Sequence, residues 1–392
     1  MGSGGLSPLP VGQLVVIQYN AKIPSNVQWH GGLQKQLPWQ MVVDASYVGY
    51  YAYNRFGATQ GGSQQLENQI PLGTAFLPQY QDPTLGTSSV PGATSYATNL
   101  LRPYPGLQSI AENATKFYDV YHSIQLSVRK RLSNGVSFSA NYTRGLQLKG
   151  NTGLVQRYAL QNGQLVLRSD EAAYEALNST LDPVPNFLKA NITWYAPGIK
   201  GRGFLLHELT RDWQISSVLT AQSGAAYTLG YSYQSNGGNV NITGSPDFGG
   251  AVVLGSGLGS GCGTQLNGYN ENAVTGPASG SVQLESGRNY MRYCPQIIPD
   301  ISIVRRLHFW KFTESRTFEF RWDVFNAVNA APITGRQNTA TFNNPTAMVL
   351  ENPEYTNGVV NTGRSLPANA GFGAATSAAT ARNMQLEFRI GW

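Results

Sequence analysis

The last eleven residues, Arg382 to Trp392, alternate without a break. Met384, Leu386, Phe388, Ile390 and Trp392 fall on one side; Gln385, Glu387, Arg389 and Gly391 fall on the other. Such period-2 alternation marks a strand with one apolar and one polar face. The pattern recurs upstream and predicts ten strands. They are Val11 to Tyr19, Val27 to Leu37, Met41 to Tyr53, Tyr121 to Leu132, Val136 to Arg144, Phe187 to Tyr195, Trp213 to Gln222, Asp300 to Leu307, Arg316 to Asn326 and Arg382 to Trp392. Phe187 to Tyr195 is typical: Leu188, Ala190, Ile192 and Trp194 oppose Lys189, Asn191 and Thr193.

The predicted connections mostly alternate in length. Leu37 to Met41, Ser133-Asn134-Gly135, Tyr195 to Trp213 and His308 to Ser315 are the shorter ones. Asn-Gly suits a two-residue hairpin turn. Residues 54–120, 145–186, 223–299 and 327–381 are long and rich in Gly, Ser, Asn and Pro. Short turns at one end and long loops at the other is the layout of an all-β, antiparallel transmembrane barrel. Counting back from a periplasmic C-terminus puts every long loop outside the cell. The short Asn20 to Asn26 connection also falls outside. Trp39, Trp194, Trp213, Trp310 and Trp392 then fall at the periplasmic ends, where amphipathic rings suit a membrane interface.

Composition fits this reading. Only 12% of the 392 residues are charged, with 44 Gly and 21 Tyr, whereas soluble domains average about 25% charged. No apolar run of about 18 residues offers a transmembrane helix. The net charge of +6 is scattered, and its densest run, Arg129 to Arg131, sits beside a turn. Nucleic-acid binding is not the expected role. The N-terminus, Met1-Gly-Ser-Gly-Gly-Leu-Ser-Pro, lacks the basic and apolar regions of a signal peptide. The expectation is a fragment, or a chain whose true start lies upstream.

Motifs of catalysis are missing from the sequence: HExxH, GxSxG, GxGxxG and the phosphate-cradling loop. Glu319 and Asp323 lie about 13 Å apart along one strand, too far for most paired-carboxylate chemistry. Glu319, Arg321 and Asp323, with Glu387 and Arg389, read instead as a lumen-facing charge ladder. No catalytic residues, metal ligands or cofactors are expected. Cys262 and Cys294 fall in one long loop. In an exported chain they should bridge, around a segment too polar and glycine-rich to pack itself. The bridge would hold Tyr269, Asn270, Asn272 and Tyr290 near a pore mouth as a ligand site, since Tyr stacks and Asn donates and accepts. The alternative is a disordered shield with two incidental thiols.

Three stretches resemble the barrels of TonB-dependent outer-membrane receptors of the Oar-like type. They are the hairpin YHSIQLSVRKRLSNGVSFSANYT (Tyr121 to Thr143), Trp213 to Gly224, and Phe318 to Asn329 followed by Pro332. The resemblance runs from about Val27 to Trp392. It implies residues 1–392 as the C-terminal portion of a larger barrel, in the bacterial outer membrane, without the family's plug or TonB box. It also implies that the terminal Trp392 serves barrel assembly. The implied partners are outer-membrane lipid, the barrel-assembly machinery, an unidentified ligand, and TonB only through the missing N-terminal parts. The implied role is ligand binding and TonB-linked uptake in the full-length protein. Two other readings stay open: a structural or surface-interaction barrel without transport, and a soluble all-β carbohydrate-binding or hydrolytic domain.

Overall fold

The computed structural model describes residues 14–56, 65–105, 107–108, 110–150, 158–161, 164–167, 184–199, 207, 210–233, 238–247, 252–264, 266, 268–280, 289–308, 317–345, 348–357, 359–364 and 367–391. Nine strands form one sheet in strict sequence order. They are β1 (Ser25–Leu37), β2 (Met41–Arg55), β3 (Phe117–Ser133), β4 (Val136–Gly150), β5 (Asn186–Pro197), β6 (Arg211–Gln222), β7 (Gln296–His308), β8 (Thr317–Phe325) and β9 (Asn383–Gly391). Every neighbouring pair is antiparallel.

Register carries the alternation across the sheet, because directly opposed residues share a face. Ile192 stands opposite Phe138, and Trp194 opposite Val136. Phe318, Phe320, Trp322 and Val324 face Ile390, Phe388, Leu386 and Met384. The Phe320 and Phe388 rings lie 5.4 Å apart. This apolar face is laid open: Leu33 is 82% and Phe388 63% exposed. So wide an open apolar surface calls for an apolar medium. The other face carries Ser137, Thr193 and Ser216 in one row, and Arg321 opposite Glu387 in another. Asp119, Ser123, Val304 and Asp323, all buried, lie on this polar face.

Connections alternate as the lengths predicted. Residues 38–40, 134–135, 198–210 and 309–316 join strands at one end; residues 56–116, 151–185, 223–295 and 326–382 join them at the other. Asn134 and Gly135 take φ of 51° and 73°, as a type I′ hairpin turn requires. Gly135 is needed twice over: for its positive φ, and because a Cβ there would sit 2.6 Å from Tyr195 O, the close approach being fixed by its carbonyl accepting from Tyr195 N at 2.7 Å.

Val11 to Tyr19 departs from expectation. Leu14–Ile17 is a strand, but it pairs parallel with Ile110–Asn113 in a separate three-stranded sheet. Its apolar residues run on without the alternation of a wall strand, and Leu14, Val15 and Ile17 stay exposed in the small sheet. Among the described residues β1 and β9 are therefore the ends of the large sheet, each with one neighbour. No helix among the described residues is long and apolar enough to cross a membrane, so a crossing would be made by strands.

Candidate functional site

Two of the long connections, after β6 and after β8, fold together. Gly230–Tyr233 pairs parallel with Thr339–Phe342, and Ile333–Arg336 pairs with Ala375–Ala378. Between them lies a core of Tyr227, Leu229, Val252, Tyr269, Met291, Phe342 and Phe372, among others. The segment between the cysteines thus does pack, contrary to the sequence reading. Its Tyr269, Val274 and Met291 bury themselves against residues supplied by the other loop. Burying one aromatic side chain contributes roughly 1.5–3 kcal/mol, which glycine and asparagine composition conceals.

Cys262 and Cys294 are joined by a disulfide with Cα atoms 4.4 Å apart. Arg336, 4% exposed, lies behind it. Its guanidinium donates to the carbonyls of Gly261 at 3.0 Å, Thr264 at 2.6 Å and Gly373 at 2.8 Å, and also to Cys262 O. One buried cation therefore ties the disulfide loop to the segment after β8, with hydrogen bonds offsetting its desolvation. Nearby are two carboxylates. Glu354 is 1% exposed, and its Oε1 has no hydrogen-bond partner. Glu271 Oε1 accepts from Glu354 N at 2.9 Å. Burial raises both: Glu354 is pushed up to about 8, helped by the charge of Glu271 and opposed by Arg336. Glu271 rises to about 7, opposed by the backbone N–H groups of Glu354 and Tyr355.

The four proposed ligand residues do not share one open surface. Tyr269 is buried, packs edge-on against Phe372 at 4.9 Å and donates its hydroxyl to Gln337 O at 2.8 Å. Asn270 caps the short turn Glu271–Ala273 through Asn272 N at 3.1 Å. Asn272 is exposed, and Tyr290 is half-buried against the core. An open cleft of about 550 Å³ lies instead beside the disulfide. Cys294, Thr264, Ile333, Thr376 and Ser377 line it. Hydroxyls and methyls without charge suit a small polar molecule. Arg336, Glu271, Glu354 and this cleft had no signal in the sequence: isolated charges in Gly- and Asn-rich loops show no period. Among the described residues, no group of three or more His, Cys, Asp or Glu could hold a metal ion.

The charge ladder is paired. Arg306 Nε donates to Glu319 at 2.7 Å, Arg321 Nε to Asp323 at 3.0 Å, and Arg389 Nη2 to Glu387 at 2.9 Å. Trp39 tips the turn between β1 and β2 and is 75% exposed; Trp194 is open on the apolar face. Trp213 lies under the Arg305 guanidinium, 5.0 Å from the ring centre. Trp310 and Trp392 lie outside the described residues.

A two-faced antiparallel sheet, with tight turns at one end and packed loops at the other, defines the wall of a transmembrane β-barrel. A family model described as "Outer membrane beta barrel domain" matches residues 2–385, and the chain belongs to that family. Its place is the bacterial outer membrane. Comparison with curated proteins finds no match. Among solved structures the chain is similar to the outer membrane transporter YddB from Escherichia coli, with 12% identity and a TM-score of 0.41 over 96% of this chain. It is also similar to a mutant of the ferric enterobactin receptor PfeA from Pseudomonas aeruginosa, with 8% identity and a TM-score of 0.37 over 94%. A third is the copper transporter OprC, with 9% identity and a TM-score of 0.33 over 95%. The chain spans 34%, 31% and 32% of those three chains.

Proposed function

We propose that the chain is the C-terminal wall and outer face of a receptor that binds a solute at its loops and passes it across the outer membrane. The polar face would line the lumen, and the paired loops after β6 and β8 would be the ligand-binding face. Support comes chiefly from one observation. The polar residues of nine consecutive strands fall on one side, at the end of which the long loops fold into a packed, disulfide-tied module. TonB-linked energy coupling follows from the sequence resemblance and would need parts outside this chain. No step in this role breaks or forms a covalent bond, so the reading is not that of an enzyme.

The full-length receptor, expressed with and without a functional TonB system, tests the proposal. Solute uptake should need TonB, and the loop module should be needed for binding in both strains. Surface binding without TonB-dependent uptake would favour a surface-interaction barrel instead.

A further inference from the structure

The polar face is not evenly charged. Over β7–β9 the cations Arg306, Arg321 and Arg389 each hold a carboxylate. Over β3–β5 they do not. Arg129 stands opposite Ser139, and Ser139 opposite Asn191. Two residues along, Ser127, Asn141 and Lys189 form the next row on the same face. Arg129 and Lys189 are thus two strands and two residues apart, with Cα atoms about 12 Å from one another by strand spacing and rise. Both side chains are exposed, as are Asn141 and Asn191. Neither cation has an ion pair within 4.0 Å among the described residues. Arg131 follows two residues after Arg129. The nearest acids on this wall are Asp44, opposite Ser127, and Asp300, opposite Val218 in the row of Asn191. Asp300 already accepts from Asn326 N at 2.7 Å, so three cations face two carboxylates, one of them engaged elsewhere.

Like charges side by side on a narrow wall repel unless an anion comes between them. The chain has carboxylates enough to pair its cations over β7–β9, yet supplies neutral amides and hydroxyls here. A guanidinium grips a carboxylate or phosphate with two parallel N–H bonds, and an ammonium adds a point charge. Long side chains from 12 Å apart converge on an anion a few ångströms wide, such as a tricarboxylate.

We propose that Arg129 and Lys189, flanked by Arg131 and spaced by Ser139, Asn141 and Asn191, bind a small multivalent anion bearing carboxylate or phosphate groups. This rests on the reading of the polar face as lumen, and it narrows the solute to an anionic class.

Citrate is the probe, titrated calorimetrically against the full-length receptor in lipid nanodiscs at low salt. Wild type should bind citrate, and about 0.5 M KCl should abolish the binding through screening. The double variant Arg129→Gln with Lys189→Gln should weaken binding at least about tenfold, a loss of about 1.4 kcal/mol. The control Arg306→Gln with Arg389→Gln, in the paired region, should change it less than about twofold. Equal losses in both variants, or no citrate binding by folded wild type, would overturn the patch. An impermeant maleimide on Asn191→Cys and Ile192→Cys separates the causes. Reaction at Asn191→Cys alone keeps the lumen reading and fails only the patch. Reaction at both fails the lumen reading as well.

Discussion

Ile192 and Thr193 are neighbours in β5 with opposite surroundings. Ile192 packs beside Phe138 on the apolar face, whereas Thr193 meets Ser137 and Ser216, the latter with hydroxyls 3.2 Å apart. Ile192→Arg should therefore destabilise the barrel by roughly 2–4 kcal/mol if it lies near the bilayer midplane. Thr193→Arg should cost under about 1 kcal/mol, because it reaches water; urea unfolding in lipid vesicles measures both. Glu354 and Glu271 make a second test at this scale. Both carboxyls are raised above their value of 4.5 by burial, so the folded module holds protons that the unfolded chain releases. The stability that these two groups contribute is fully present below about pH 4.5 and is lost as pH rises through about 7 and 8. Proteolysis of the loops should be slower at pH 5 than at pH 8.5 (about these values), and Glu354→Gln should flatten most of the difference. A wild-type profile that rises in stability with pH would contradict the burial of these acids.

At the scale of elements, the wall was legible in the sequence and the loops were not. Strands such as β8 show themselves because lipid on one side and polar surroundings on the other force a period of two. Val11 to Tyr19 misled because an unbroken run, Val15-Val16-Ile17, looks alike in a barrel wall and in a short parallel strand outside it. The loop core was hidden for another reason: Tyr227, Tyr269, Phe342 and Phe372 meet from two separate loops, and such contacts leave no local period. The cysteine pair was readable from compartment chemistry, yet Arg336 behind it was not. The disulfide closes a loop with a sequence separation of 32, worth on the order of 3–4 kcal/mol in the chain-entropy model. Cys262→Ser with Cys294→Ser should speed hydrogen exchange in the loop module and leave β3–β8 unchanged. The turn between β1 and β2 carries Trp39 and Gln40 at φ of 59° and 60°, a left-handed pair that costs about 1 kcal/mol or more per residue without glycine. Gln40→Gly should raise stability by about 1 kcal/mol by the same unfolding measurement, and a loss would show that the Gln40 side chain has a role of its own.

At the scale of the whole molecule, nine strands leave β1 and β9 running in the same direction. Antiparallel closure of the described sheet would therefore take an odd number of further strands between them. In lipid each open edge is a row of backbone groups without partners, at several kcal/mol per group. The isolated chain should accordingly aggregate, pair with copies of itself or close under strain. Size-exclusion chromatography in detergent would show mixed species, and a single monodisperse monomer would contradict this. The central claim is that the alternating faces of the nine strands meet lipid on one side and water on the other. Cysteine scanning of β8 from Thr317 to Phe325 in outer membranes tests it most directly, since the two native cysteines are bridged. An impermeant thiol reagent should label positions 319, 321 and 323 and spare 318, 320, 322 and 324. Labelling without a period of two along β8 would contradict it.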